Sequence, residues 1–252
     1  MGKTIAVTGK GGVGKTTLSA MILQWLVANN ETPVLAVDAD SNANLHETLG
    51  IEYDATVGGI REDALEKAKE MTGVSKQEFL DMQVQSALVE KDGYDLIVMG
   101  RPEGPGCYCF ANNVLRDVID KLSKNYKHIV VDSEAGIEHI SRRTLLKVDY
   151  LFTVSDCTVR GIRTAKRIAD LADEMKTPVS HRGLIVNRVP NGILPEGVND
   201  AIDELGLNLM AVIPFDDNVA EFDSGGMALV DIPSDSLARN EIGKLLSSII
   251  NE

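Results

Sequence analysis

Residues 4–17 read TIAVTGKGGVGKTT. Thr4 to Gly9 is a short apolar run ending in glycine, the pattern of a strand buried on both faces. From Lys15 onward the pattern turns helical. Between the two, Gly9, Gly14, Lys15 and Thr16 satisfy G-x-x-x-x-G-K-S/T, and a strand before with a helix after is the context that pattern requires. Gly11, Gly12, Val13 and Gly14 let successive backbone N–H groups turn inward around an anion, and the helix N-terminus adds a partial positive charge. Lys15 can bridge the β- and γ-phosphates, the Thr16 hydroxyl can hold Mg²⁺, and Thr17 is placed for the α-phosphate. Lys10 is a second lysine in the same loop. Its bland reading is a solvated surface lysine. Its sharper reading is a charge supplied to the nucleotide of a facing protomer, a device worth ~10³–10⁵ in rate, or roughly 4–7 kcal/mol of barrier.

Outward from the loop, short apolar runs recur at 34–39, 95–100, 128–133, 150–155, 183–188 and 209–214, each ending at or next to Gly, Asp, Asn or Pro. Helical stretches separate them, at 15–29, 61–71, 110–124, 138–147, 160–175, 195–205 and 236–250. This alternation predicts an α/β fold, a doubly wound, mainly parallel β-sheet flanked by helices, with right-handed crossovers. The whole chain, 1–252, reads as one domain. Residues 51–93, weakly periodic and rich in charge, read as a helical excursion at the sheet edge.

The formal net charge is −13, which opposes general nucleic-acid binding and docking on an anionic leaflet. The start of the chain has no signal-peptide core, Ala6 breaks the myristoylation pattern, and no run is long enough to span a membrane. Three cysteines make no disulfide framework. A soluble, cytoplasmic protein with reduced thiols and no stable membrane anchoring is the expectation.

The KGGVGKTT loop resembles the deviant Walker A loop of the MinD/ParA/nitrogenase iron-protein class of dimerising ATPases. That resemblance implies a MinD-like P-loop fold, ATP and ADP as nucleotides, ATP hydrolysis and an ATP-dependent homodimer, with Lys10 acting across the interface. Other segments match the same class. VDAD at 37–40 resembles switch I, so Asp40 would position the attacking water and Asp38 would contact the Mg²⁺ shell or the phosphate loop. IVVDSEAGIEH at 129–139 resembles a Walker B strand running into switch II. Asp132 would bind a magnesium water, and Gly136 would let backbone approach the γ-phosphate. Asn187 in IVNR is similar to the adenine-contacting position, against a plain turn or cap asparagine, and Pro214 in IPFD lies where a loop would close over the base.

The stretch EGPGCYCFANN, 103–113, places Cys107 and Cys109 one residue apart. Thiolates are soft ligands that suit Zn²⁺, Cu⁺, iron–sulfur clusters or planar Ni²⁺. Two make half of a four-coordinate site, and a two-fold axis through the loop would bring four together. Buried structural thiols are the alternative. GPGCYCFANN with DSEAGIEH resembles the CooC/AcsF group of ATPases that mature the nickel sites of carbon monoxide dehydrogenase and acetyl-CoA synthase. The resemblance implies Ni²⁺ or Zn²⁺ held by Cys107 and Cys109 of both subunits, and a nickel enzyme as client. Two alternatives stand beside it: an iron–sulfur electron-transfer ATPase resembling the nitrogenase iron protein, and a MinD/ParA-type spatial regulator. Cys157, after a strand end, reads as a buried small apolar side chain, with a second metal role as the alternative; His46, His128, His139 and His181 show no ligand spacing. His139 follows the expected switch II, and Glu134 within DSEAG reads as an exposed structural residue, against a role in tuning hydrolysis beside the γ-phosphate.

Overall fold

The computed structural model describes residues 2–59, 85–101, 119–133, 147–174 and 178–250. The expected helix at 61–71, nearly all of that at 138–147 and the first part of that at 110–124 lie outside the described residues, as do Cys107, Cys109, Glu134, Gly136 and His139.

One eight-stranded sheet organises the described chain. Its strands are β1 (Lys3–Gly9), β2 (Val34–Ala39), β3 (Leu88–Lys91), β4 (Tyr94–Val98), β5 (His128–Ser133), β6 (Val148–Asp156), β7 (Val179–Val189) and β8 (Leu209–Pro214), in the spatial order β3-β4-β2-β5-β1-β6-β7-β8. Every pairing is parallel except β3 with β4. The helices whose full extent lies within the described residues include α1 (Lys15–Ala28), α2 (Leu45–Thr48), α3 (Val159–Glu174), α4 (Glu196–Glu204), α5 (Asp217–Ser224) and α6 (Leu237–Ile250).

The central strands are apolar on both sides because both faces are covered. Ile5, Val7, Ala36, Leu96, Val130 and Phe152 pack toward α1 and α6, whereas Ala6, Leu35, Val37, Ile97, Val131 and Leu151 pack on the opposite face with Ile168 and Ala172 of α3. Successive residues alternate between two cores, as the two-residue strand period dictates. Helix α1 buries Leu18 through Leu23 without a break, the mark of a helix enclosed by neighbours rather than lying on a surface. It ends where Asn30 takes a left-handed φ of 59°.

Strand β3 falls inside the stretch read as a helical excursion. It forms a hairpin with β4, Lys91 pairing Tyr94 across Asp92-Gly93, with Gly93 at φ 81°. An Asp-Gly pair between strands is a strong hairpin signal, and it marks this edge as strand rather than helix. Helices α2 and α5 are also additional to the sequence expectation.

Candidate nucleotide site

The loop after β1 sits at the C-terminal edge of the sheet, where parallel strands and helix N-termini meet. Gly9 is forced by crowding: a Cβ there would lie 2.4 Å from the Val154 carbonyl oxygen of β6. Gly14 ends the loop at φ 91°, and a Cβ would lie 2.5 Å from Asn187 Nδ2. Only glycine meets both demands without strain.

The loop is braced from outside. Asn187 Nδ2 donates to the Val13 carbonyl at 2.8 Å, and Arg188 Nη1 donates to the Gly12 carbonyl at 3.2 Å. Lys15 Nζ donates to the Lys10 carbonyl at 3.3 Å. Holding these carbonyls back leaves the loop amides free to face an anion. The two lysines differ in setting: Lys15 is buried at 8 % exposure, while Lys10, Gly11 and Gly12 are exposed. Thr16 and Thr17 are half-buried on the first turn of α1.

Two carboxylates lie beneath the loop. Asp38 at the end of β2 and Asp132 at the end of β5 are register partners on adjacent strands, so both point to the α1 side. Asp38 Oδ1 accepts from the Asp40 N–H at 3.1 Å and Oδ2 from the Leu45 N–H at 2.9 Å, which knots the 38–45 loop. Asp132 Oδ1 accepts from Ser19 Oγ at 3.2 Å, and the Thr16 hydroxyl also bonds this carboxylate. Burial, reinforced by the neighbouring Asp132 charge, pushes Asp38 up to about 7. Burial likewise pushes Asp132 up to about 6, against the opposing pull of the Thr16 bond and the Lys15 charge. Buried carboxylates held near neutrality, with hydroxyls beside them, form a hard-oxygen set suited to Mg²⁺. Asp40 is half-buried, its Oδ1 accepting from the Asn42 N–H at 2.8 Å, while Arg101 holds Asn42 at 3.2 Å.

Beside the loop a cleft of 260 Å³ is walled by Thr17, Asn187, Arg188, Pro214, Phe215 and Asp216. Its floor is fastened by Asp216, which caps α5 through the Asn218 N–H at 3.0 Å and reaches α6 through Ser236 Oγ at 2.6 Å and the Ala238 N–H at 3.0 Å. The sequence reading weighed Asn187 in IVNR but not its neighbour. Arg188, at φ 56°, contacts both the loop and the cleft. Ser19 and Asp216 were also missed. The Asp before a helical run in IPFD was a legible cap signal for the latter. Among the described residues no three His, Cys, Asp or Glu converge as a metal site. Cys157 is half-buried, its thiol pushed up by burial and then by Asp156.

The model of the CobQ/CobB/MinD/ParA nucleotide-binding domain matches residues 4–230. The chain belongs to this nucleotide-binding family. An ATP-binding protein of Methanocaldococcus jannaschii, itself uncharacterized, is 41 % identical over 98 % of each chain. The carbon monoxide dehydrogenase accessory protein CooC of Rhodospirillum rubrum is 31 % identical over 90 % of this chain and 89 % of its own. Among solved structures, the MinD cell division protein of Aquifex aeolicus superposes with a TM-score of 0.71 at 26 % identity, covering 99 % of this chain and 97 % of that one. The matched span, residues 4–230, takes in the braced loop, the paired carboxylates and the flanking cleft.

Proposed function

We propose that the protein is an ATP-hydrolysing metallochaperone that delivers nickel to an enzyme of the carbon monoxide dehydrogenase or acetyl-CoA synthase type. The observation that carries this reading is the Cys107-x-Cys109 pair in a chain that shares 31 % identity with a carbon monoxide dehydrogenase accessory protein. In the proposed cycle the loop amides and Lys15 hold the triphosphate, and Thr16 with Asp132 would hold Mg²⁺, which offsets charge on the transferring phosphoryl group. Asp38 would order the segment that carries Asp40, and Asp40 would orient the attacking water. Asn187 and Pro214 would border the base. Lys10, exposed beside a buried Lys15, is free to reach a facing protomer. That assembly would bring the cysteine pairs of two chains to one axis, where Ni²⁺ or Zn²⁺ is cargo rather than a resident cofactor.

The likeness to the Aquifex MinD protein favours a second reading, a MinD/ParA-type spatial regulator. Elemental analysis separates the two. Chain incubated with Ni²⁺ or Zn²⁺ is measured as nucleotide-free protein and as an Asp40→Ala dimer trapped with ATP. The metallochaperone reading expects stoichiometric metal in the dimer and its loss in Cys107→Ser and Cys109→Ser, with ATP binding spared. Metal content indifferent to both cysteines would remove the reading, and co-sedimentation with liposomes would then favour the regulator.

A further inference from the structure

Helices α3 and α4 lie side by side on one face of the sheet, Ile162 and Ala165 of the first packing with Val198, Ala201 and Ile202 of the second. Each joins two parallel strands, β6 to β7 and β7 to β8. Both therefore run against the strand direction and parallel to one another. Their outer faces carry opposite charge. On α3, Arg160, Arg163 and Arg167 are exposed at spacings of three and four residues. On α4, Glu196, Asp200 and Asp203 are exposed at spacings of four and three. With 100° per residue, each trio falls within about 60° of arc and spans about 10 Å of helix, directly opposite the buried side. Of the other charges of α3, Lys166 pairs with Asp170 at 2.5 Å and Asp173 with Arg182 of β7 at 2.7 Å, and Glu174 is exposed at the far end of the helix, beyond the stripe. Among the described residues neither trio takes part in an ion pair.

We infer that this face binds a second copy of the chain. A two-fold axis lying in the interface, parallel to the helices and midway between them, sets the arginine stripe of each copy over the acidic stripe of the other. The two stripes have equal length and the residues beneath them, Ile162 and Ala165 under one and Val198, Ala201 and Ile202 under the other, share one core cluster, so the stripes overlap along the axis, and the contact repeats itself by symmetry as an isologous interface must. Two-fold axes across the helices would instead oppose like charges. The pairing is a side-face contact, whose stripes start in the first turns of α3 and α4 and run from there away from the phosphate loop. It is weak, because exposed ion pairs are, and two chains of −13 repel at long range. It is strongest near 0.1 M salt, where charges act over about 10 Å and remote repulsion is screened, and is lost near 1 M, where they act over about 3 Å.

Sedimentation equilibrium of the full chain tests this, with nucleotide absent and metal chelated. The expected result is a reversible dimer near 0.1 M salt that weakens roughly tenfold or more near 1 M. R163E/R167E and D200R/D203R should each sediment as folded monomers, checked by circular dichroism. Mixed together, the two variants should dimerise at least as well as the parent, because each altered stripe then meets its opposite. A parent chain that stays monomeric near 0.1 M overturns the inference and leaves the stripe to some other acidic partner. So do double variants that associate like the parent, or a mixture that stays monomeric. Because no nucleotide is present and none of these residues touches the phosphate loop, failure here is distinct from failure of the ATP-driven dimer.

Discussion

Asp132 shows how a single buried carboxyl can be costly to the fold. Its carboxyl is 1 % exposed and pushed up to about 6 from an ordinary 3.8. A carboxyl whose folded value lies above its unfolded one destabilises the fold as pH rises between the two, and the full cost applies above the folded value. The shift of about two units corresponds to roughly 3 kcal/mol. Both described partners, Ser19 and Thr16, are hydroxyls that can reverse their hydrogen bonds, so Asn fits the same place. Asp132→Asn should raise the melting temperature of the nucleotide-free, chelated chain above about pH 6, with the gain vanishing below about pH 4. On the proposed reading, in which Asp132 helps to hold Mg²⁺ for ATP hydrolysis, the same variant should lose Mg²⁺-dependent turnover by about a hundredfold or more. A melting temperature unchanged at every pH would show that Asp132 carries no such cost.

At the scale of elements, the cleft is held open by capping. Asp216 ties the first turn of α5 to the start of α6 through three donors. Burial alone would raise its carboxyl, but the bonds from Ser236, Ala238 and Asn218 outweigh burial and hold it below 3.8. A depressed carboxylate stabilises the fold above its unfolded value and ceases to do so as pH falls through its folded one. Asp216→Ala leaves buried donors without an acceptor and should cost about 1–3 kcal/mol in urea unfolding at neutral pH. The difference from the parent should narrow below about pH 4. ATP affinity should fall as well, because the Pro214–Phe215 wall loses its anchor.

For the whole molecule, the contrast between Lys10 and Lys15 matters most. One is exposed and the other is folded onto its own loop. If Lys10 serves a facing protomer, Lys10→Ala should bind nucleotide as a monomer with affinity near the parent's and fail to dimerise on ATP. Gel filtration with a slowly hydrolysed ATP analogue checks this, and normal dimers would assign Lys10 to the surface. The contact through α3 and α4 would persist in that variant, since it lies on a different face.

The sequence by itself determined the phosphate loop, the parallel character of the sheet and seven of its eight strands, because short apolar runs, glycine spacing and helix periodicity are local signals. It also marked Lys15, Thr16, Asp38, Asp132 and Asn187 by motif. Tertiary structure alone decided the rest, since those features depend on which distant strands become neighbours. The order β2-β5-β1 sets Asp38 beside Asp132 and so raises both carboxyls. The order β1-β6-β7 carries Asn187 and Arg188 across 174 and 176 residues of chain to brace the loop. Sheet packing likewise lays α3 against α4 and turns two unremarkable charged helices into one face with matched, opposite stripes.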